Sequence, residues 1–396
     1  MNKRLLLSLL ILTFLIFSMG CKKKEEVIEE PENIITEINY DDLSVKQLEV
    51  LALENDGEAA YRLGLIYDYG LNDVPQNFAD SFKWYQISSD ASFGKGSLYL
   101  GYSYLNGTGT DKDISKAEEL FSKALDEGCK EGYVGLARCI LDSEDESRYP
   151  EAKDYVEKAY NANLLDGYYY MGYFFEKGIG MQTDSFEETE NMEDSEELES
   201  SKAAIEVEPD YEKAVECYEK VLESATDDIN DQFAINSANT RLGYLYVNGL
   251  VGEEADTKTA LTYLNNAADN GFLEAKYYLG IMYLTGVGVD RDAEKALSYF
   301  EDAAEKDYAP ALSQIAYIYF NGKGVDADYV QAVYYEKLAA AQGYTPSQIN
   351  LGYLYENGLG VEKNLETALA YYKLAFDSGY EGAEEAITRV ESQLSK

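Results

Sequence analysis

Histidine is absent from this chain of 396 residues. Histidine is the side chain best suited to proton transfer near neutral pH and the commonest zinc ligand, so Ser-His-Asp triads and histidine-based metal sites are excluded. Carboxylates remain, but 74 acidic residues allow so many pairings that no acid–base pair stands out. We therefore expect no catalytic residue, no metal site and no cofactor, and predict that the protein is not an enzyme.

Positive charge is also scarce. The chain has 33 basic residues against 74 acidic ones, which gives a formal net charge of −41 at pH 7. Such a charge repels phosphate backbones and anionic lipid headgroups. We therefore expect no nucleic-acid partner, and a protein partner that is basic or neutral.

The N-terminus has the three-part layout of an export signal. Lys3 and Arg4 precede an apolar run over residues 5–17, and Gly20 stands directly before Cys21. The run is shorter than the roughly 20 apolar residues of a membrane-spanning helix, although an uncleaved membrane helix remains the alternative. The layout resembles a bacterial lipoprotein signal, which implies removal of residues 1–20 and acylation of Cys21.

Acylation at Cys21 would anchor the mature protein to a membrane of the bacterial cell envelope, facing the periplasm or the cell surface, because two or more acyl chains suffice for stable attachment. Three lysines and a glutamate-rich stretch follow the cysteine. High charge with few large apolar residues predicts a disordered tether over residues 21–40.

A glycine-punctuated block recurs along the rest of the chain. Its last four copies begin at Leu242, Leu279, Ile315 and Leu351, in steps of 37, 36 and 36 residues. A period of this length is typical of stacked repeats rather than of one globular core.

Each copy contains the signals of two helices. Ala275, Leu279 and Gly280 fall on one face of a first helix, which Gly286 can end in the left-handed conformation. Asp292 is then placed to cap a second helix. The same cap position recurs at Asn77, Asp113, Asp210, Asp256, Asp328 and Asn364.

The pattern A-x-x-x-L-G-x-x-Y-x-x-G-x-G-V, followed by D/N-x-x-x-A-x-x-Y-Y/F-x-x-A-A, resembles the Sel1-like repeat, a relative of the tetratricopeptide repeat, over most of residues 58–382. The resemblance implies an all-α solenoid of antiparallel helix pairs that binds proteins and shares no enzymatic activity. We assign the solenoid to residues 41–396, with capping helices at 42–54 and 382–394 and a short turn at 142–147.

An acid-rich insertion interrupts the repeat at about residues 181–209. Gly172 and Ala214 stand 42 residues apart, whereas Gly280 and Ala296, at the same positions of a later copy, stand 16 apart. The insertion has too few aliphatic residues to form a core, so we expect it to loop out of the solenoid. It is either a passive solvated loop or an acidic segment that docks a partner or attracts cations.

Three cysteines remain after Cys21, which allows at most one intramolecular disulfide. Cys129 ends one helix pair and Cys139 lies in the next helix, so the two could pair in an exported, oxidising setting if their geometry permits. Cys217 falls on the core face of its helix and is predicted to be a small buried side chain.

The candidate partner-binding residues lie on the first helix of each pair, three before or one after the central Gly or Ala. In the related tetratricopeptide superhelix these positions line the concave surface. The tyrosines chosen there are Tyr61, Tyr102, Tyr169, Tyr173, Tyr244, Tyr277, Tyr317 and Tyr353. Burial in helix packing is the alternative for each of them.

These features together predict a lipid-anchored, extracytoplasmic scaffold that binds a partner protein or peptide on its concave face. The alternative is a receptor for cell-wall fragments or for small glycan or peptide ligands, on whose sugar rings the tyrosines would stack. We expect the protein to be a monomer.

Overall fold

The computed structural model describes residues 38–179, 208–226, 231–252 and 254–395. The chain divides into two units, Met1–Ser44 and Val45–Lys396. In the first unit the described residues form a 3-10 turn at Tyr40–Asp42, whose first amides are capped by the side chain of Asn39. The predicted signal at 1–20, Cys21, nearly all of the tether and nearly all of the insertion lie outside the described residues.

The second unit is built of α-helices. The described part of the chain has eighteen of them and no strand. The first helices of eight pairs are α2 (Gly57–Tyr69), α4 (Gly94–Asn106), α6 (Gly132–Asp142), α8 (Leu165–Lys177), α10 (Gln232–Val247), α12 (Leu273–Thr285), α14 (Ala309–Asn321) and α16 (Thr345–Asn357).

The second helices are α3 (Phe78–Asp90), α5 (Ile114–Asp126), α7 (Tyr149–Asn161), α9 (Tyr211–Ser224), α11 (Thr257–Asp269), α13 (Ala293–Ala304), α15 (Tyr329–Ala340) and α17 (Leu365–Asp377). One further helix stands at each end of the series, α1 (Val45–Leu53) and α18 (Ala383–Leu394), as predicted for capping helices.

Each helix packs mainly on its neighbours in sequence. The most extensive contacts are those within a pair, and the first helices of successive pairs, such as α2 and α4, also touch. Contacts that are confined to neighbours define a solenoid. The predicted all-α solenoid is therefore confirmed.

The central glycine of the first helix lies directly beneath a ring of the second helix. A Cβ atom on Gly280 would stand 2.5 Å from the ring of Phe300, which is too close for any side chain. The same contact joins Gly64 to Tyr85, Gly101 to Phe121, Gly172 to Tyr218 and Gly352 to Tyr372. Glycine recurs here because the two helices approach through an aromatic ring, and burying that ring supplies much of the core of each pair.

The turns and caps follow the sequence closely. Gly286 ends α12 with a φ of 80°, a left-handed conformation that favours glycine. The side chain of Asp292 then accepts a hydrogen bond from the backbone N–H of Lys295 at 2.9 Å. All seven predicted N-caps accept such bonds, each worth about 1 kcal/mol.

The turn between the two helices of the third pair is short. α6 ends at Asp142 and α7 begins at Tyr149, with only a 3-10 turn at Glu146–Arg148 between them, so the predicted short turn is confirmed.

The three described cysteines are free and buried. The disulfide that the sequence allowed is therefore not formed, and Cys217 is buried as predicted.

Candidate functional site

The eight tyrosines predicted to contact a partner differ in exposure. Tyr61 is buried, with 6% of its surface exposed, and packs with Tyr85 and Leu100. Tyr317 and Tyr353 are 42% and 48% exposed. The other five are half-buried, namely Tyr102, Tyr169, Tyr173, Tyr244 and Tyr277. The position of Tyr61 agrees with helix packing, whereas the binding role of the others stays a prediction.

A cavity of about 350 Å³ lies between first helices that are far apart in sequence. Its walls include Tyr61 of α2, Tyr99 of α4, Asp166 of α8 and Ala234 of α10. Lys95 at the start of α4 adds a positive charge. First helices of pairs one, two, four and five therefore face one common space.

A second cavity, of about 440 Å³, adjoins the first and shares Tyr99, Tyr102 and Asp166 with it. We refer to the two cavities together as the inner groove. The remaining walls of the second cavity include Asp68, Tyr69, Phe78, Asn106, Arg138, Tyr170 and Phe233.

Tyr99 forms the centre of the aromatic wall. Its ring centroid lies 5.3 Å from that of Tyr61, 5.3 Å from that of Tyr85 and 6.2 Å from that of Tyr102. Burial raises the pKa of Tyr99 well above its usual range, so its hydroxyl stays neutral and keeps its proton. The wall thus offers apolar area together with hydroxyl groups.

Arg138 of α6 brings a positive charge into the second cavity. Its guanidinium lies 5.0 Å from the ring centroid of Tyr102, within the range of a cation–π contact. Its Nη2 also donates a hydrogen bond of 3.2 Å to the side-chain oxygen of Asn106. The two contacts fix the guanidinium against the wall of the groove.

Asp166 of α8 lies where the two cavities meet. Burial raises its pKa to about 6, and the charge of Arg138 opposes that rise, while Glu131 and Asp231 add to it. Near neutral pH this carboxyl group therefore has a protonated fraction and can donate as well as accept a hydrogen bond. A perturbed carboxyl in a concave surface is typical of a functional site.

The inner groove combines aromatic rings, one fixed guanidinium and one weakly acidic carboxyl. Sites of this composition bind chain segments or small molecules through apolar area, with a few polar groups that set orientation. No group of three or more Cys, Asp or Glu residues among the described positions is arranged to hold a metal ion.

Sequence reasoning found only part of the groove. Of the eight predicted tyrosines, Tyr61 and Tyr102 line it and the other six do not. Three of the missed residues fall on two positions within the repeat. Tyr99 and Tyr170 each lie two residues before the central glycine, and Arg138 follows the central Ala137 directly.

A buried ion pair joins helices that lie on either side of the insertion. Arg241 of α10 contacts both carboxylate oxygens of Glu176 of α8, and Tyr218 of α9 donates a hydrogen bond of 2.9 Å to the same carboxylate. Arg241 also lies 3.3 Å from Glu274 of α12. The stack of helices therefore continues across the acidic segment.

These observations define a solenoid of paired α-helices with an aromatic groove between its first helices. The model of the Sel1 repeat matches the chain at residues 57–93, 95–129, 165–187, 204–221, 236–272, 273–308, 309–344 and 345–380. The matched segments cover more than half of the sequence. The chain therefore belongs to the Sel1 repeat family.

Individual relatives match more weakly. The Sel1-repeat-containing protein YjcO of Escherichia coli K12 is 29% identical over 177 residues, which are 44% of this chain and 62% of that protein. The match thus spans less than two thirds of the relative.

Two solved structures are also similar. A Sel1 repeat protein from Oxalobacter formigenes is 22% identical, with 95% of this chain and 99% of that chain covered and a TM-score of 0.47. The antigen c5321 of uropathogenic Escherichia coli is 23% identical, with 88% and 75% covered and a TM-score of 0.36.

Sel1 repeat proteins are in general non-enzymatic scaffolds that bind other proteins. None of the helices in the described ranges combines the length and the apolar composition that crossing a bilayer requires.

Proposed function

We propose that this protein is a lipid-anchored scaffold outside the cytoplasm, which binds an extended segment of a partner protein in the inner groove. The observation that carries the proposal is the convergence of first helices from five successive pairs on one aromatic-lined space. Membership of the Sel1 repeat family supports binding to proteins. The net charge of −41 favours a partner that is basic or neutral overall.

Two exposed groove residues allow a test that spares the core. Tyr69 and Phe233 are 45% and 52% exposed, so replacing Tyr69 with Ser removes contact area without opening a cavity, and position 233 can carry a crosslinking side chain. Tyr334 is similarly exposed, at 55%, but lies outside the groove, and Tyr334→Ser is the matched control.

A photo-crosslinking amino acid placed at position 233 of the full-length protein in living cells should capture one partner. We expect Tyr69→Ser to abolish this capture with an unchanged melting temperature. Crosslinking from position 334 should not capture the same partner, and the control variant Tyr334→Ser should capture it normally from position 233. Full capture by Tyr69→Ser, or equal loss in the control, would refute the binding site.

The membrane anchor is a separate part of the proposal. It is supported by the Gly20–Cys21 pair after a short apolar run with two basic residues before it. Metabolic labelling with a palmitate analogue should mark the wild-type protein and not Cys21→Ala. Equal labelling of both would remove the anchor and leave the groove unaffected.

A receptor for small ligands is the second candidate function. The cavities of about 350 and 440 Å³ fall within the size range of small-molecule pockets, which is about 300–1,000 Å³. Incubation of the purified protein with envelope extract and with cell-wall fragments separates the candidates. Retained protein bands favour the scaffold, whereas a retained glycopeptide favours the receptor.

A further inference from the structure

One position of the repeat changes its chemistry in a single copy. The residue after the central Gly or Ala of the first helix is aromatic or aliphatic in seven of the eight pairs and is Arg138 in the third. The others are Leu65, Tyr102, Tyr173, Tyr244, Ile281, Tyr317 and Tyr353. The repeat pattern therefore does not require an arginine here, and its presence calls for a separate explanation.

Arg138 also differs from the other arginines that are at least half-buried. Arg62, Arg148 and Arg241 each have a carboxylate oxygen within 3.3 Å. Within the part of the chain that the structure describes, Arg138 has no carboxylate within 4 Å, although acidic residues outnumber basic ones 74 to 33. Asp142 and Asp166 act on this guanidinium only from beyond 4 Å, so its N–H groups that face the cavity can still take a carboxylate from a ligand.

The acidic groups near Arg138 have other partners or carry a weakened charge. Asp142 pairs with Lys112 at 3.2 Å, and Asp68 accepts a hydrogen bond of 3.1 Å from Tyr85. Asp166 lies more than 4 Å from the guanidinium, and burial raises the pKa of this carboxyl group to about 6. The charge of Arg138 is thus directed at the cavity.

We propose that Arg138 binds the carboxylate of an Asp or Glu side chain in the bound segment, with an aromatic or aliphatic neighbour of that residue packed against the tyrosines. This rests on the proposed function, in which the groove takes a peptide. Arginine suits the role because its planar fork can hold both carboxylate oxygens at once. Because the groove continues from the second cavity into the first, a chain can pass Arg138 rather than end there.

The bound segment need not be acidic overall. The acidic field of the whole protein selects a basic or neutral segment at long range, and Arg138 selects one carboxylate within it at short range. The probe is therefore the capped peptide Ac-Lys-Phe-Glu-Phe-Lys-NH2, whose net charge is positive. The first control peptide has Gln in place of Glu. The second control peptide also has Gln at the centre and ends in a free C-terminal carboxylate.

Titration of the full-length protein with the three peptides tests the proposal. We expect the Glu peptide to bind at least 10-fold more tightly than the Gln peptide, Arg138→Gln to remove that difference, and Arg138→Lys to restore part of it. Arg148→Gln, which removes an arginine already paired with Glu118, should keep the full difference. Circular dichroism melting of each variant shows whether it is folded.

Equal binding of the Glu and Gln peptides, including no binding of either, would overturn the proposal, as would a preference that survives in Arg138→Gln. If the peptide with the free C-terminus bound most tightly, Arg138 would bind a chain terminus rather than a side-chain carboxylate, and the proposal would also be overturned. If Tyr69→Ser loses the cellular partner while Arg138→Gln keeps it, the proposed function stands and only the carboxylate site fails.

Discussion

The neighbouring pairs α12–α13 and α14–α15 place opposite chemistry at one core position. Phe300 and Glu336 stand 36 residues apart at the same point of the second helix. Phe300 is fully buried on Gly280. Glu336 is only 4% exposed, and its pair carries Ala316 where the other has Gly280. One repeat therefore fills this position with a ring, and the next buries a carboxyl group there.

The carboxyl group of Glu336 is held by neutral donors. Asn350 of α16 donates to it at 2.8 Å and Ser313 of α14 at 3.4 Å. No basic group among the described residues lies within 4 Å of it, whereas the buried Glu176 and Glu356 are each paired with an arginine. Burial consequently raises the pKa of Glu336 to about 7, and the neutral donors Ser347, Asn350 and Ser313 only partly offset that rise.

Two repeats with the same backbone fold can therefore bury different chemical groups at the same core position. The solenoid tolerates a polar group at its most buried position when neighbouring helices supply donors, because each repeat packs only on its neighbours. The tolerance has an energetic cost that depends on pH. The two pairs therefore differ in how stability responds to substitution and to protonation.

The largest effect is expected at the apolar member of the comparison. Phe300→Ala removes a fully buried ring and leaves a cavity against Gly280, so we expect a loss of about 3–5 kcal/mol in the free energy of unfolding. Denaturant unfolding followed by circular dichroism measures it. Tyr334→Ala, at a 55% exposed ring on α15, is the control and should change stability by less than about 0.5 kcal/mol. A loss below about 1 kcal/mol for Phe300→Ala would contradict the packing described.

A smaller effect, with a pH dependence, is expected at Glu336. Folding raises the pKa of this group from 4.5 to about 7, so the folded protein holds the proton more tightly and stability falls as pH rises between these values. Glu336→Gln carries no charge at any pH. It should match the wild type near pH 4.5 and exceed it by about 3 kcal/mol at pH 8, the equivalent of the shift in pKa.

The measurement at Glu336 is the difference in unfolding free energy between variant and wild type across pH 4.5–8. Subtracting the wild type removes the contributions of the other acidic groups. Glu301→Gln, which removes a carboxyl group at an exposed site on α13, is the matched control. A flat difference for Glu336→Gln would mean that the carboxyl group is not desolvated in the folded protein.

Most of the fold could be predicted from the sequence because its determinants are local. The glycine that ends a helix and the Asp or Asn that begins the next act within a few residues, and Gly286 and Asp292 behave as their spacing predicts. The small residue of the first helix was also identified. Its contact with a ring about 20 residues later became visible only in the structure.

The groove was harder to predict because it depends on the stacking of five pairs. Residues 61 and 234 line one cavity through the position that each pair takes relative to the last, which no local pattern encodes. Tyr61 and Tyr102 were found through their repeat position, whereas Asp166 was not. Arg138 and Glu336 could have been identified from the sequence. When the copies are aligned at a period of 36 residues, each differs in chemical character from the corresponding residues of the neighbouring copies.

The smallest effect on stability is expected in a third copy of the repeat, the α16–α17 pair. Tyr372 stands another 36 residues after Glu336, and its hydroxyl donates a hydrogen bond of 3.0 Å to the buried Glu356. Because Glu356 keeps its pairing with Arg389, Tyr372→Phe should cost only about 1 kcal/mol, the net value of one hydrogen bond.

In the α12–α13 pair the corresponding two positions are both apolar. Phe300 stands there in place of Tyr372, and Leu284 in place of Glu356. Adding Glu356→Leu to Tyr372→Phe reproduces that combination but strands Arg389, which is exposed and can be solvated. The double variant should therefore be no less stable than Tyr372→Phe alone in denaturant unfolding. Tyr371→Phe, at the adjacent ring that stacks on Tyr355, is the control and should be neutral. Equal losses from Tyr371→Phe and Tyr372→Phe would show that the hydroxyl–carboxylate bond contributes nothing to this repeat.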